Sequence, residues 1–201
     1  MSRWRATPRQ LAILVAGLWL FGTGEALLVE SRLGNSPWTV LAEGAGEQTG
    51  IGVGAATVAI SFVVLAAWIP LRERPGLGTI LNAIIVGVAI GVTVEFVPRA
   101  EGLPLRGAEV LAGIGIVAIG SGLYLMTRLG AGPRDGLMLG LHRRTGLSVR
   151  LVRTIIEGGA TAGGFALGGK VGIGTLAFAV LIGPAVQAAL GVLSSTPAHE
   201  L

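Results

Sequence analysis

The sequence contains no cysteine, a single lysine, a single tyrosine and only two histidines. The absence of cysteine excludes disulfide bonds, thiolate metal sites and a cysteine nucleophile. Charged residues are scarce too, at 13% of the chain, against about 25% in ordinary soluble domains. With a mean hydropathy of +0.76, this composition is typical of a membrane protein rather than of a soluble domain.

Enzyme signatures are also missing from the chain. It has no HExxH, GxSxG or Walker motif. The two histidines, His142 and His199, do not have the spacing of metal ligands to any other suitable residue. We therefore predict that the protein is not an enzyme and has no catalytic residue, no bound metal and no cofactor.

Long apolar runs dominate the sequence instead. A helix that crosses a hydrocarbon core of about 30 Å needs roughly 20 mostly apolar residues. Six segments approach this length, of which the fifth is the most polar: 11–29, 51–69, 79–97, 110–126, 151–167 and 175–193. We therefore predict an all-α, polytopic membrane protein with six transmembrane helices, forming one membrane domain over residues 1–201.

Two stretches of the chain recur at a constant offset of 96 residues. RLGNSPWTVLAEGAGEQTG at 32–50 matches RLGAGPRDGLMLGLHRRTG at 128–146, and PGLGTILNAIIVG at 75–87 matches VGIGTLAFAVLIG at 171–183. A constant register over two separated motifs indicates an internal duplication. Each repeat, about 11–97 and about 107–193, then contains three spans and a short extra helix. These short helices are expected at about 37–47 and 133–144, because Pro37 and Pro133 suit a first helical position.

The arginines indicate how the two repeats are oriented. Because each repeat has an odd number of spans, the second should enter the membrane from the opposite side. Cytoplasmic loops are enriched in Lys and Arg. A cytoplasmic N-terminus leaves only Arg32, Arg99, Arg106 and Lys170 outside. We therefore predict two inverted repeats in a bacterial plasma (inner) membrane. This topology also accounts for the basic segment 128–153, so no nucleic-acid partner is expected.

The repeated motifs carry a resemblance to a known family. LGNSPW, WIPLRERPGLGTILNAIIVG and LGAGPRDGL followed by RRTGLS resemble the YitT/YczE-type family of bacterial multi-pass membrane proteins. The family pattern resembles LG-x-S-P-W-D followed by P-G-x-G-T. Here Thr39 stands where Asp is usual in the first copy, and Arg134 replaces Trp in the second. The resemblance implies an integral membrane protein and leaves its activity undefined.

Inverted repeats with interrupted helices are a hallmark of secondary transporters, in which half-helix N-termini direct N–H groups at a solute. The predicted substrate-binding residues lie at the two Pro helices, at the two Gly-x-Gly-Thr turns and among the polar residues of the spans: Glu25, Asn35, Pro37, Trp38, Gly78, Thr79, Asn82, Asp135, Gly174 and Thr175. For the Gly-x-Gly-Thr turns, ordinary helix packing and capping is the favoured alternative.

Several other residues have structural interpretations. Glu157 follows Arg153 by four residues, the spacing of a helical ion pair near the inner surface, with proton coupling as the less favoured alternative. Trp38, Trp68 and Tyr124 fit interfacial anchors. The GxxxG pairs favour packing inside the chain, while homo-oligomerisation stays open: Gly87/Gly91, Gly159/Gly163 and Gly164/Gly168.

Two functional hypotheses follow. The first is a small-solute permease or exporter with a site between the two repeats, whose partners are the lipid bilayer and an unknown small solute. The second is an accessory or regulatory membrane protein that acts through a protein partner and transports nothing. Transport predicts a polar midplane cavity lined by Glu25, Thr79 and Thr175, whereas the accessory role predicts a solidly packed seam.

Overall fold

The computed structural model of the chain describes residues 3–195, and all regular structure in that range is helical. The helices are α1 (Pro8–Ser31), α2 (Pro37–Thr49), α3 (Val53–Ala66), α4 (Trp68–Leu71), α5 (Leu77–Phe96), α6 (Leu103–Met126), α7 (Pro133–Thr145), α8 (Val149–Ala166) and α9 (Ile173–Ser195). The all-α class predicted from the sequence is confirmed. His199 lies outside the described residues.

Five stretches of the described chain are long and apolar enough to cross a membrane: Pro8–Ser31, Val53–Leu71, Leu77–Phe96, Leu103–Met126 and Ile173–Ser194. The second of them joins α3 and α4. The predicted span 151–167 falls on α8, which is not among the five. Its first three turns carry Arg150, Arg153 and Glu157, and this charge lowers its hydropathy. The chain is thus a polytopic helical membrane protein with five apolar spans and one amphipathic long helix.

The helices form two groups. In the first group, α1, α5, α6 and α9 pack around buried apolar side chains such as Leu28 and Ile90. In the second, α2, α3, α7 and α8 meet around Trp38, Val64 and Ala160. The groups are joined along one side, where α3 packs against α5.

Glycine pairs let α1 and α6 cross at backbone distance at the centre of the first group. A Cβ added to Gly24 would lie 2.6 Å from the carbonyl oxygen of Gly113, and one added to Gly17 would lie 2.9 Å from that of Gly120. The later residue of one helix faces the earlier residue of the other, so α1 and α6 are antiparallel. Close approach through small residues is the usual way in which helices associate in lipid.

Helix positions recur at the offset of 96 residues found in the sequence. α2 and α7 match at both ends, and α3 with α8 and α5 with α9 match at their starts. The turns recur as well: Gly78 N donates to Leu129 O at 3.0 Å, and Gly174 N donates to Leu33 O at 2.8 Å. Each repeated Leu-Gly turn therefore binds the Gly-x-Gly-Thr turn of the other repeat, which explains why both motifs occur twice.

Three tryptophan and tyrosine side chains have different roles from those predicted. Trp38, Trp68 and Tyr124 are buried, at 7%, 4% and 5% exposure, so none of them is an interfacial anchor. Trp68 Nε1 donates to Pro133 O at 2.9 Å, and Tyr124 Oη donates to Asp135 Oδ2 at 2.8 Å. Trp38 differs, because its Nε1 has no hydrogen-bond partner in the described structure and its ring faces Arg134. A backbone carbonyl has two lone pairs, so Pro133 O can accept from a nearby indole that sequence position alone would assign to the lipid interface.

The GxxxG pairs are used unequally. Gly87 and Gly91 pack against Gly54 of α3, so this pair serves packing within the chain, as predicted. Gly164 lies against the backbone of α2, where an added Cβ would be 2.5 Å from Leu41 N. Gly159 differs, since a Cβ added there would meet nothing within 4 Å.

Candidate functional site

A cavity of about 360 Å³ lies between the two groups of helices. Many of the residues that line it are related by the offset of 96, so both repeats contribute corresponding positions to its wall. The related pairs are Phe21 and Val117, Ser36 and Gly132, Pro37 and Pro133, Trp38 and Arg134, Thr57 and Arg153, Ser61 and Glu157, Asn82 and Phe178, and Val86 and Ile182. The cavity therefore lies between the two repeats, and corresponding residues of each contribute to its wall.

Arg134 is the main cationic group of the cavity. Its guanidinium carbon lies 5.4 Å from the centre of the Trp38 ring, within the range of a cation–π contact. Among the described residues it forms no salt bridge and no hydrogen bond, although a guanidinium has five N–H donors. The donors are thus left to water or to a ligand in the cavity.

Charges around Arg134 act on it from both repeats. Arg134 belongs to the short helix α7, and burial lowers its pKa from the usual value. The carboxylates of Glu25 and Asp135 act in the opposite direction. Arg134 is thus a partly desolvated cation whose neighbouring carboxylates lie beyond salt-bridge distance, which leaves its N–H donors free to bind an additional polar group.

Polar atoms converge beside Arg134 at the start of α7. Tyr124 Oη donates to Asp135 Oδ2 at 2.8 Å. A Cβ added to Gly132 would lie 3.3 Å from Asp135 Oδ2, 3.4 Å from Asn82 Nδ2 and 3.5 Å from Tyr124 Oη. These three side chains therefore surround Gly132, and they can donate to or accept from a small polar molecule.

Glu25 lies behind the opposite wall. It is fully buried, and its Oε2 accepts hydrogen bonds from Ser36 Oγ at 2.7 Å and from Thr39 Oγ1 at 2.8 Å. Its Oε1 has no hydrogen-bond partner in the described structure. Ser36 occupies the N-cap position of α2, but its hydroxyl donates to Glu25 and makes no capping hydrogen bond.

The ion pair predicted on α8 is present, with Arg153 Nε 3.0 Å from Glu157 Oε1. Both residues line the cavity together with Thr57 and Ser61 of α3, the positions that correspond to them in the first repeat. The pair is therefore part of the cavity wall and not only a structural feature of an inner surface.

The remaining predicted residues divide into two sets. The cavity wall includes Pro37, Trp38, Asn82 and Asp135. The others lie elsewhere: Asn35 donates to Glu43 at 2.7 Å, Thr79 donates to Ala131 O at 2.7 Å, Thr175 accepts from Gly172 N at 3.3 Å, and Gly78 and Gly174 form the turn bonds between repeats. A cavity between the repeats exists, but Glu25, Thr79 and Thr175, which were predicted to line one, do not line it.

Sequence reasoning missed Arg134, Tyr124 and Ser121 as cavity residues. Arg134 was assigned to the positive cytoplasmic loop, and Tyr124 to the lipid interface. The repeat itself held the signal: Ser121 and Arg134 are the counterparts of Glu25 and Trp38, which were already candidates.

The fold and the cavity describe a polytopic helical membrane protein with an internal cavity that polar and apolar side chains line. The chain belongs to a family of unknown function, DUF6198, whose model matches residues 8–190. It is 41% identical over 196 residues to an uncharacterized protein of Haemophilus influenzae, covering 98% of this chain and 90% of that one.

Two relatives from Bacillus subtilis agree with this assignment. The chain is 31% identical to the uncharacterized membrane protein YczE, over 84% of this chain and 79% of that protein. It is 30% identical to the uncharacterized protein YyaS, over 80% of this chain and 82% of that one. No solved structure matches. The resemblance read from the motifs is therefore confirmed.

Proposed function

We propose that the protein is a secondary transporter of the bacterial plasma membrane that moves a small solute bearing an anionic group. In this proposal α8 is the sixth crossing, the two repeats are inverted, and the N-terminus is cytoplasmic. The activity changes no covalent bond of the solute, so the protein is not an enzyme.

One observation carries the proposal. Corresponding residues of the two repeats line a single cavity, and one of them, Arg134, has no hydrogen-bond or salt-bridge partner among the described residues. In inverted-repeat transporters the substrate site lies at the interface between repeats. A partly buried arginine with free donors is the group best suited to bind a carboxylate or phosphate.

Two further observations support the inversion. The first spans of the repeats, α1 and α6, are antiparallel and cross through glycine pairs that are themselves 96 residues apart. α8 carries charge, but Arg153 and Glu157 face the cavity and neutralise each other at 3.0 Å. Ionisable residues of membrane-spanning helices are usually found facing a cavity and paired in this way.

The test is solute flux in proteoliposomes. The purified chain is reconstituted, and the currents or radiolabel uptake of short-chain and long-chain carboxylates, organic phosphates, zwitterionic amino acids and organic cations are compared. We expect flux with members of the anionic or zwitterionic groups, reduced at least about tenfold by Arg134→Gln, since a charge-assisted hydrogen bond is worth roughly 1.5–3 kcal/mol.

Arg5→Gln is the matched control, because it removes the same charge from an exposed residue outside the cavity wall. Flux that survives Arg134→Gln unchanged would contradict the site. The absence of flux for every solute, in a chain that is folded and inserted, would favour the second hypothesis, an accessory or regulatory protein that acts through a partner.

A further inference from the structure

The cavity is bordered by two helices that do not pack against each other. α8 contributes Arg153 and Glu157, and α9 contributes Phe178, Ile182 and Val186. Over the described residues, α8 packs on α2 and α7, α9 packs on α6, and the two make no comparable contact with each other. The wall between them is therefore open along the side of the molecule.

The corresponding wall of the first repeat is closed. There α3 packs on α5, and a Cβ added to Gly54 would lie 2.6 Å from Gly91 N. At the offset of 96, Gly54 corresponds to Arg150 on α8, and Gly91 corresponds to Gln187 on α9. An arginine and a glutamine cannot replace two glycines at backbone distance, so the α8–α9 wall cannot close in the same way.

A glycine on α9 marks the opening. Gly183, which lines the cavity, corresponds to Gly87 of the closed wall. A Cβ added to Gly87 would lie 2.6 Å from Gly54 O, whereas one added to Gly183 would meet nothing within 4 Å. Glycine at this position thus allows close helix contact in the first repeat and leaves an empty space in the second.

The residues around the open wall include an apolar surface and charged groups. Phe178, Ile182 and Val186 present an apolar surface from α9, and α8 contributes the ion pair of Arg153 and Glu157. Arg134 supplies a further cation to the cavity, with unused donors. A gap in the side of a membrane protein faces acyl chains. A molecule that enters there is best matched if it has an apolar chain and an anionic head.

We propose that the solute is a single-chain anionic amphiphile, which enters the cavity from the bilayer between α8 and α9. Its head binds Arg134, and its chain lies along the apolar face of α9. This inference rests on the proposed transport function and specifies its substrate class and its route of entry.

The test uses photo-crosslinking in lipid nanodiscs with two diazirine carboxylates, one of butyrate length and one of palmitate length. We expect the long probe to label peptides of α9 that line the cavity. Unlabelled palmitate should compete with it, and butyrate should not. Each buried methylene adds about fourfold in affinity, so the chain should dominate binding.

Gly183→Leu fills the opening, and labelling of cavity peptides should fall about tenfold or more. Gly191→Leu is the matched control on the same helix, since a Cβ there also meets nothing within 4 Å and the residue does not line the cavity. Both variants should keep the melting temperature of the parent. Arg134→Gln should also reduce labelling by the long probe.

Other outcomes would overturn the inference. Equal labelling in the Gly183→Leu and Gly191→Leu variants would show that the probe binds only as surrounding lipid. Flux or labelling by short carboxylates that depends on Arg134 but not on Gly183 would exclude entry from the bilayer, and would leave transport itself intact. No specific labelling and no flux would end both proposals.

Discussion

The surroundings of the two short helices, α2 and α7, are built by the same motifs but packed by different means. At the first, here called the α2 end, Gly164 of α8 and Gly169 of the following loop lie directly against the backbone of α2. At the other, the α7 end, the position that corresponds to Gly164 is Trp68, whose indole fills the space beside Gly136 of α7. The α2 end is thus packed by backbone contact and the α7 end by a single large side chain.

Each end also has an ion pair, and the short helix supplies the acidic partner at one end and the basic partner at the other. At the α2 end an acidic residue of the short helix, Glu43, pairs with Lys170 of the loop at 3.0 Å. At the α7 end a basic residue of the short helix, Arg143, pairs with Glu73 of the loop. Beyond the α7 end lies a second, open pocket of about 660 Å³ that is rich in arginine. A duplicated chain can therefore keep the same arrangement of helices in both repeats while the side chains at the two ends diverge.

The largest effect concerns which side of the membrane each end faces. If the repeats are inverted, reporter fusions in the turn after α2, at Gly50, and in the turn after α7, at Gly146, should report opposite compartments, with Gly146 cytoplasmic. Alkaline phosphatase and green fluorescent protein fused at both positions make the measurement. If both turns reported the same compartment, the repeats would not be inverted, and the two ends could not be compared as counterparts on opposite sides of the membrane.

Removing the indole at the α7 end should destabilise the protein strongly. Trp68→Ala deletes a buried side chain and its hydrogen bond to Pro133 O, at a cost of about 3–5 kcal/mol in the free energy of unfolding. Thermal unfolding in detergent micelles measures the loss. Trp68→Phe should recover most of it, because it keeps the ring and loses mainly the hydrogen bond.

The comparison with the α2 end provides the control for Trp68. Gly163→Val, next to the contact glycine, adds side-chain atoms where the nearest neighbour of a Cβ is Leu41 Cδ1 at 3.8 Å, so it should change stability little. Gly164→Val should cost at least about 1–3 kcal/mol, since its Cβ would collide with the backbone of α2. Similar melting temperatures for these two variants would contradict packing by backbone contact.

A smaller effect distinguishes the two Gly-x-Gly-Thr turns. Thr79 accepts from Gly76 N at 3.1 Å and donates to Ala131 O at 2.7 Å, whereas Thr175 makes only the first kind of bond. Thr79→Val should therefore cost about 2 kcal/mol and Thr175→Val about 1 kcal/mol, because fewer buried polar groups lose their partner. Equal losses in chemical denaturation would mean that the two turns are equivalent.

Much of this architecture could be predicted from the sequence. The offset of 96 located both short helices, because Pro at the first helical position and the Gly at the end are local signals that survive in any environment. The α8 ion pair could be predicted from its four-residue spacing, because that spacing is also a local signal.

The content of the cavity could not be predicted in the same way. The residues that line a cavity depend on how helices from different parts of the chain pack together. Neither hydropathy nor residue spacing contains this information. Arg134 satisfied the charge rule for cytoplasmic loops, and Tyr124 lay at a span end, so each had a sufficient local explanation. Their meeting with Asp135 and Trp38 is a property of the tertiary structure.

The smallest predicted effect concerns the two ion pairs. Glu43 is more deeply integrated than Glu73, because its Oε2 also accepts from Asn35 Nδ2 at 2.7 Å and from Lys170 N at 2.8 Å. Glu43→Gln should cost about 1 kcal/mol, as a largely buried carboxylate loses its charge-assisted hydrogen bonds. Glu73→Gln should cost about 0.5 kcal/mol or less, because Arg143 is mostly exposed and the pair is screened by water.

The salt dependence of stability separates these two losses. Raising the ionic strength should reduce the cost of Glu73→Gln towards zero and leave most of the cost of Glu43→Gln, since hydrogen bonds to backbone and amide groups are not screened. Thermal unfolding of both variants at low and high salt gives the comparison. If both costs vanished together at high salt, the α2 end would be held by an exposed ion pair like that of the α7 end, and the difference between the two ends would rest on their glycine and tryptophan contacts alone.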